Sequence, residues 1–462
     1  MRKLDKFCAQ TTLVLMPRRG QSANLTTKHN AINRRDMNNK HMNNKPQTGI
    51  ARRDFIKLAG ASSAALGLAG VAGQALGDDL PRDANGNVIP GFGEDDKHTR
   101  REIEANSGKW ESKSDRKIRV GIAGYGLCKF GAAFFYQNHP NVEVVAATDL
   151  DPGRCAALAK AVGAKKTYPS CEEMIKDKSI EAVFIATDAP SHARLATLAL
   201  NSGKHAVSAV PAVFGFEAEE DAEKLFEAVK KSGMKYMMNE TSAFHAGLYA
   251  KRMQYQAGAL GKIIYSEGEY YHYSGSPLGS YNPKTGKIDA HGWRRGCPPQ
   301  FYSTHSNAYY ISVTGGGRLT EVSCMGMPSI VPMLRPENND YKNPFGTEVA
   351  LFKTSEGGMS RMAVSWDMRD AHGANGRVYG QKPQNNKING ARPPLPPGVG
   401  GGGHKGSHGP LTNDFIESIL LDRKPIVDVS EALNMTMAGV IAHKSALKDG
   451  EWMKVPQYDL GV

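Results

Sequence analysis

Residues Ile118-Arg-Val-Gly-Ile-Ala-Gly124-Tyr-Gly126 join a short β-rich run to two closely spaced glycines, and a helical pattern over 127–138 follows directly. The first of these glycines permits a tight turn, the second lets the backbone approach a pyrophosphate, and the N-terminus of the helix offers N–H groups to an anion. The third glycine of this fingerprint would fall at Lys129, so the copy is imperfect, although Gly131 lies close by. The segment predicts the first strand, turn and helix of a dinucleotide-binding fold.

β-rich runs alternate with helical patterns from residue 118 to residue 238. Such alternation indicates a parallel, doubly wound sheet. Asp149 ends the second run, 25 residues after Gly124, where a carboxylate binds ribose hydroxyls; this favours NAD over NADP. The alternative is a glycine turn in a sheet that binds no ligand. The later runs are 142–149, 181–187, 205–209 and 234–238, with helices from Pro152 and over 191–201 and 217–231.

Charge is distributed unevenly along the 462 residues of the chain. The formal net charge is +12, but residues 1–77 contain 13 Lys or Arg and only 3 Asp or Glu. The rest of the chain is therefore nearly neutral, and we expect no nucleic-acid partner. The six cysteines include no C-x-x-C pair and no Cys/His cluster, so the sequence predicts neither a metal site nor a disulfide framework.

The basic N-terminal segment has the order of an export signal. Arg52-Arg53 precedes 19 uncharged residues, 58–76, and small residues near Ala75 and Gly77 offer a cleavage point. This order resembles a twin-arginine signal, so we expect a periplasmic or extracytoplasmic protein with no stable membrane span after processing. The alternative is a single transmembrane anchor, for which a stretch so rich in Gly and Ala is poorly suited.

From about Lys117 onward the sequence resembles the Gfo/Idh/MocA oxidoreductase superfamily. Thr187-Asp-Ala-Pro-Ser-His192 matches the loop after the fourth strand of that superfamily, and Gly203-Lys-His-Ala-Val follows the next helix. The resemblance implies an α/β fold: an N-terminal Rossmann dinucleotide-binding domain, then an α/β domain with a large open, mostly antiparallel sheet. It also implies NAD as the cofactor. The expected cofactor contacts are Gly124, Tyr125, Gly126, Leu127, Asp149, Thr187, His192 and Pro211, of which His192 is expected to cap or pack rather than to react.

We place four segments on the chain from these patterns. They are an export leader over 1–77, a linker over 78–115, a Rossmann domain over 116–241 and a C-terminal substrate domain over 242–462.

Two departures from the superfamily bear on the chemistry. The usual Glu-Lys-Pro, whose lysine helps to position nicotinamide and to move a proton, is here Ala209-Val-Pro211. The usual Asp and His of a second catalytic element correspond to Thr304 and Ala308. Oxidation of a sugar hydroxyl needs a base to take the O–H proton as hydride leaves, and valine cannot be that base.

One subgroup of the superfamily also lacks that lysine, the NAD-dependent α-N-acetylgalactosaminidases, which are glycoside hydrolases. The chain is similar to this subgroup at Gly268-Glu-Tyr-Tyr-His272, Tyr302-Ser-Thr-His305 and Gly406-Ser-His408-Gly409. The resemblance assigns catalytic roles to His272, His305 and Tyr302. Side chains expected to contact a sugar are Arg294, Tyr309, His404 and His408. Structural alternatives stay open: a half-buried histidine at position 272, a loop brace at position 294 and a plain linker before position 408.

The subgroup implies a redox-neutral cycle. Bound NAD⁺ takes hydride from a sugar carbon, the neighbouring C–H loses its proton, the glycosidic bond is lost by elimination, water adds, and the hydride returns. An exported enzyme has no pool of free nicotinamide cofactor, so we expect NAD to be held tightly. We therefore expect an NAD-dependent enzyme acting on a carbohydrate or glycoside, and, by analogy, a homo-oligomer. The alternatives are a conventional NAD(P)-dependent sugar dehydrogenase, a sugar–sugar oxidoreductase and a non-catalytic carbohydrate-binding protein.

Overall fold

The computed structural model describes most of the chain from Lys109 onward. The leader predicted over 1–77 and the linker as far as residue 108 lie outside the described residues, and the four segment boundaries stay predictions. None of the described helices combines the length with the apolar character that crossing a bilayer requires. The described ranges are 109–273, 280–282, 287–289, 292–369, 372–383 and 390–461.

The first sheet contains six parallel strands. They are β1 (Ile118–Ala123), β2 (Val142–Thr148), β3 (Lys166–Tyr168), β4 (Ala182–Ile185), β5 (His205–Ser208) and β6 (Tyr236–Met238). Their order is β3-β2-β1-β4-β5-β6, the strand order of a complete dinucleotide-binding fold. The order reverses between β1 and β4, and ligands of such folds bind beyond the carboxyl ends of the strands at that point.

Five α-helices belong to this first sheet. They are α1 (Phe130–Ala133), α2 (Pro152–Val162), α3 (Cys171–Ile175), α4 (His192–Asn201) and α5 (Ala218–Ser232). The start of α2 at Pro152 is as predicted, because the Asp151 side chain accepts the N–H of Arg154 at 2.8 Å and so caps the helix.

The continuous helix predicted over 127–138 is wrong. α1 ends at Ala133, Phe135 adopts a left-handed conformation with φ of 62°, and only the 3₁₀ turn Tyr136–Asn138 follows. The carbonyl oxygen of Ala133 accepts a hydrogen bond from the ring of His408, and the next carbonyl oxygen accepts one from a threonine hydroxyl. Side chains from the far end of the chain thus take the place of helical N–H groups.

The second sheet has six strands. In spatial order they are β13 (Gly373–Gly380), β7 (Ile263–Tyr271), β12 (Met359–Ser365), β11 (Phe345–Thr354), β10 (Leu319–Pro328) and β14 (Met453–Lys454). Its β7 and β12 are parallel, and the other neighbouring pairs are antiparallel, so the predicted mostly antiparallel sheet is confirmed. The short strands β8 (Ser280–Asn282) and β9 (Lys287–Asp289) pair separately.

A buried helix lies directly on this sheet. The longer helices in the described part of this region are α6 (Ala246–Gln256), α7 (Thr304–Thr314), α8 (His408–Leu420) and α9 (Val429–Ala446). Every residue of α7 is buried, and a Cβ added to Gly268 on β7 would lie 2.2 Å from the carbonyl oxygen of Ser306. Only glycine allows this approach, which brings the start of α7 to the carboxyl end of β7.

Candidate active site

A groove of about 1070 Å³ runs along the carboxyl ends of the first-sheet strands. Gly124 has a φ of +103°, and a Cβ there would lie 2.3 Å from the carbonyl oxygen of Ala186, so only glycine fits the turn. A Cβ on Gly126 would meet no atom within 4 Å, which leaves the space that close backbone approach by a pyrophosphate needs. A Cβ added to Gly131 would lie 2.4 Å from the carbonyl oxygen of Gly124, so only glycine fits there as well. Gly131 thus takes the packing role of the third glycine of the fingerprint. The groove therefore fits a dinucleotide.

Asp149 stands at the end of β2 on the wall of this groove. Its Oδ2 accepts the backbone N–H of Tyr125 at 2.7 Å, and its Oδ1 accepts that of Asp151 at 2.9 Å. Each carboxylate oxygen keeps a second lone pair, which is available to a ribose hydroxyl. Tyr125 thus acts through its N–H to fix the carboxylate, whereas Leu127 and Thr187 line the groove themselves.

Two predicted cofactor contacts lie behind the groove. His192 is buried, with Nδ1 2.9 Å from the carbonyl oxygen of Pro211 and Nε2 3.3 Å from that of Thr187. Neither His192 nor Pro211 is among the described residues that line the groove. Burial lowers the pKa of His192, so the neutral ring has a single N–H and donates it to one of these two carbonyl oxygens, of which that of Pro211 is the nearer.

A smaller chamber adjoins the groove and shares Cys128, Phe130 and Arg294 with it. Ala209 and Val210 form part of its wall, where the superfamily's Glu and Lys would stand. The other lining residues are Phe134, Asn239, Thr241, Tyr270, Tyr302, His305 and His404. The chamber therefore joins residues of both sheets at one end of the groove.

A buried acid–histidine pair stands at the chamber. His305, the second residue of α7, has Nδ1 2.6 Å from Oε1 of Glu240, which follows β6. Burial alone would raise the pKa of Glu240, but His305 and the Ser242 N–H at 2.8 Å outweigh it, so that pKa lies below its ordinary value. The ionised carboxylate holds the Nδ1–H of His305 and leaves Nε2 for a group in the chamber.

Glu240 was missed by sequence reasoning. Its signal was modest: an Asn239-Glu240 pair directly after a short strand, at the edge of a parallel sheet where ligands bind. The helix that carries His305 was missed as well, since the sequence analysis places no helix there.

Aromatic rings surround the pair. The Tyr270 ring lies 4.4 Å from that of His305 and 5.7 Å from that of Tyr302, measured between centroids. Burial raises the pKa of Tyr302 to about 12 and that of Tyr270 well above its ordinary value, so both hydroxyls stay protonated. Tyr302, for which a catalytic role is predicted, and Tyr270, for which none was, both line the chamber.

Arg294 lies where the groove and the chamber meet. Its Cζ is 4.2 Å from the ring centroid of Trp293 and 5.8 Å from that of Tyr302. The aromatic faces favour a guanidinium there. The structure therefore places Arg294 where it can contact both a cofactor and a substrate.

Three predicted site residues are not among the described residues lining the chamber. His272 lies one residue past β7, 4.7 Å from the Tyr270 ring, and burial lowers its pKa to about 3. Tyr309 lines a separate pocket of about 860 Å³, and its hydroxyl donates to the Ala374 carbonyl oxygen at 3.4 Å. His408 hydrogen-bonds to the chamber residue His404. The contacts predicted for Tyr309 and His408 therefore do not fall in this chamber.

Within the described ranges, no group of three or more His, Cys, Asp or Glu side chains is placed to hold a metal ion. The histidines of the region pair instead with a carboxylate, a carbonyl oxygen or each other.

The parallel sheet, its glycine-lined groove and the adjoining open sheet define the class by fold: a Rossmann dinucleotide-binding fold of the oxidoreductase type. Residues 118–240 match the family model described as "Oxidoreductase family, NAD-binding Rossmann fold", that of Gfo/Idh/MocA. The predicted resemblance to this superfamily and the NAD cofactor are thereby confirmed.

Curated relatives of the chain are glycosyl hydrolase family 109 proteins. One, protein 4 from Phocaeicola vulgatus, is 29% identical over 232 residues, 46% of this chain and 44% of the relative. Another, from Shewanella amazonensis, is 26% identical over 302 residues, 61% of this chain and 60% of the relative. The alignments thus span about half the length of these relatives.

Solved structures share the fold. Levoglucosan dehydrogenase in complex with NADH and levoglucosan has a TM-score of 0.58 at 17% identity, covering 74% of this chain and all of the other, 100%. Apo scyllo-inositol dehydrogenase from Lactobacillus casei has a TM-score of 0.54 at 18% identity, covering 74% of this chain and 99% of the other.

Proposed function

We propose that this chain is an NAD-dependent enzyme that acts on a carbohydrate or glycoside through a redox-neutral cycle of oxidation and elimination. The observation that carries the proposal is the Glu240–His305 pair at a chamber continuous with the dinucleotide groove. When bound, NAD⁺ supplies the hydride acceptor. The protein then has to orient a sugar and move protons, which is what a buried, carboxylate-oriented imidazole does.

Chamber residues divide this work between them. His305 lines the chamber, and Nε2, the ring nitrogen that is not bonded to Glu240, can take or give a proton, while Glu240 stabilises the protonated ring. The Tyr270 and Tyr302 hydroxyls, kept protonated by burial, can donate hydrogen bonds to sugar oxygens. Ala209 and Val210 present an apolar wall where the superfamily lysine would stand, so proton transfer falls to the histidines that line the chamber.

The relatives support the substrate class. The curated relatives are named glycosyl hydrolases, and the solved neighbours are named dehydrogenases of levoglucosan and scyllo-inositol. A carbohydrate substrate is common to both groups of names. The hydrolase relatives favour a cycle without net oxidation over a simple dehydrogenase.

A panel of aryl glycosides and free sugars tests this function. We expect chromophore release from at least one glycoside, without added NAD⁺ and without net absorbance at the NADH band. Net NADH formation from a free sugar, with no glycoside cleaved, would instead identify a conventional dehydrogenase, which the same acid–histidine pair could serve. Glycan binding with no turnover of either kind would identify a carbohydrate-binding protein and overturn the proposal.

Export of the folded chain, with its cofactor inside, is part of the proposal and rests on the Arg52-Arg53 segment. An enzyme outside the cytoplasm must retain and regenerate its dinucleotide. We therefore expect about one NAD per chain to be released when the purified protein is denatured in acid and analysed by mass spectrometry. Protein purified without any dinucleotide would contradict a tightly held cofactor.

A further inference from the structure

The short turn Gly403–Gly406 holds two successive non-glycine residues in the left-handed region. His404 has a φ of 53° and Lys405 a φ of 56°. Side chains other than glycine adopt this conformation at a cost, and such strain persists where the surrounding structure enforces it, often at active sites. Here the surroundings are a hydrogen bond from the His404 ring to His408 and the chamber itself.

The hydrogen bonds of His408 settle which nitrogen atoms carry protons. Its Nδ1 lies 3.0 Å from the Ala133 carbonyl oxygen, which can only accept, so Nδ1 carries the hydrogen. A neutral imidazole has one N–H, so Nε2 of His408 carries a lone pair and accepts from Nδ1–H of His404 at 2.8 Å. The remaining nitrogen of His404, Nε2, then carries a lone pair on the ring that lines the chamber.

The surroundings keep both rings neutral. The His408 ring stacks on Phe134 at 4.1 Å, and Phe130 packs against both histidines. Burial lowers the pKa of His408 to about 4 and that of His404 well below its ordinary value. Burial removes the water that would solvate a protonated ring, so the neutral form of both histidines is favoured.

Other titratable and charged groups also face His404. They come from α7, from the residue before α6 and from just past the end of β7: His305, His245 and His272. The histidines, when charged, would each oppose a proton on His404. Every element packed against His404 therefore favours its neutral form.

Two imidazole rings with different hydrogen-bond partners thus lie close together. The rings of His305 and His404 are 6.4 Å apart and nearly parallel, at 19°. His305 is hydrogen-bonded to the carboxylate of Glu240, whereas His404 is hydrogen-bonded to a neutral histidine. Environments that separate two titratable groups in this way assign one as acid and the other as base.

We propose that His404 is the proton-accepting residue of the chamber, held by His408 with its hydrogen on Nδ1, and that His305 is the proton donor opposite it. The proposal rests on the proposed function. On a sugar already oxidised at the neighbouring carbon, a C–H proton passes to Nε2 of His404 and its electron pair forms the C=C bond. The C–O bond to the leaving group breaks, and the departing oxygen takes a proton from Nε2 of His305. His408 acts through His404 and is a positioning residue.

The first readout needs no substrate. In protein labelled with ¹⁵N-histidine, we expect NMR to show His404 neutral with its hydrogen on Nδ1 between pH 6 and 8, assigned by its loss in His404→Ala. The variant His408→Phe keeps the stacking on Phe134 but removes the acceptor, and should release His404 from this tautomer. The variant His408→Gln supplies an acceptor again and should restore it. A hydrogen on Nε2 of His404 in the unaltered protein would overturn the inference, whether or not a substrate is found.

The second readout is kinetic, on a glycoside turned over in the panel. We expect His404→Ala to lower kcat by about 10²–10⁴-fold, the usual contribution of a general base. His408→Phe should lower kcat and shift the acidic limb of its pH profile with little change in KM, and His408→Gln should recover most of kcat. An unchanged kcat in His404→Ala would overturn the catalytic role, whereas a panel with no turnover at all would count against the proposed function and leave the NMR result to decide the tautomer.

Discussion

Glu240→Gln should lower kcat by about 10²–10⁴-fold, because the neutral amide can neither stabilise a protonated His305 nor dictate which nitrogen carries the hydrogen. Glutamine has nearly the shape of glutamate, so the chamber and the groove should keep their form. The measurement is kcat on the best substrate of the glycoside panel, together with the dinucleotide content of the purified variant, which should match that of the unaltered protein.

The chain contains a matched control for this substitution. Glu348 and His443 form a second buried pair, with Nδ1 of the histidine 2.7 Å from Oε1 of the glutamate, and neither lines the chamber. Glu348→Gln should lower thermal stability and leave kcat unchanged. If both substitutions lowered kcat alike, or if Glu240→Gln had no effect, the role assigned to the Glu240–His305 pair would be wrong.

Gly126→Val should weaken NAD⁺ binding by roughly 100-fold or more, because its side chain would fill the space through which the pyrophosphate must approach the backbone. The fold should survive, since a Cβ at this position meets no atom within 4 Å. Titration of protein stripped of dinucleotide by NAD⁺ measures the change in affinity.

Gly316→Val is the control for this second substitution. A Cβ on Gly316 also meets no atom within 4 Å, and Gly316 does not line the groove. We expect its NAD⁺ affinity to equal that of the unaltered protein. Equal affinity in Gly126→Val would mean that no dinucleotide lies against this turn.

Local signals explain what could be predicted from the sequence. The first strand, the turn at Gly124 and the helix start at Pro152 depend on neighbouring residues, so the parallel sheet was predicted except for its short strand β3. The early end of helix α1 after that turn was not predicted, because the carbonyl oxygen of Ala133 bonds to His408, 275 positions away. α7 was missed because it is buried on all sides and shows no amphipathic period.

The candidate site likewise contains residues to which local sequence signals point and residues that only the fold brings together. Asp149 follows from its distance to the glycines, and His305 from a motif. The partner of His305 is Glu240, 65 residues earlier, and no local pattern joins them. The sequence suggested Tyr309 and His408 as sugar contacts. Only the fold shows that Tyr309 lines a separate pocket and that His408 hydrogen-bonds to His404.

A crystal structure of the full chain, purified with whatever ligand it retains and soaked with its glycoside, tests the central claim most directly. The account predicts a dinucleotide along the groove from Asp149 to Arg294 and a sugar in the chamber between His305 and His404. A groove filled by side chains, or a sugar bound elsewhere while this chamber stays closed, would contradict it.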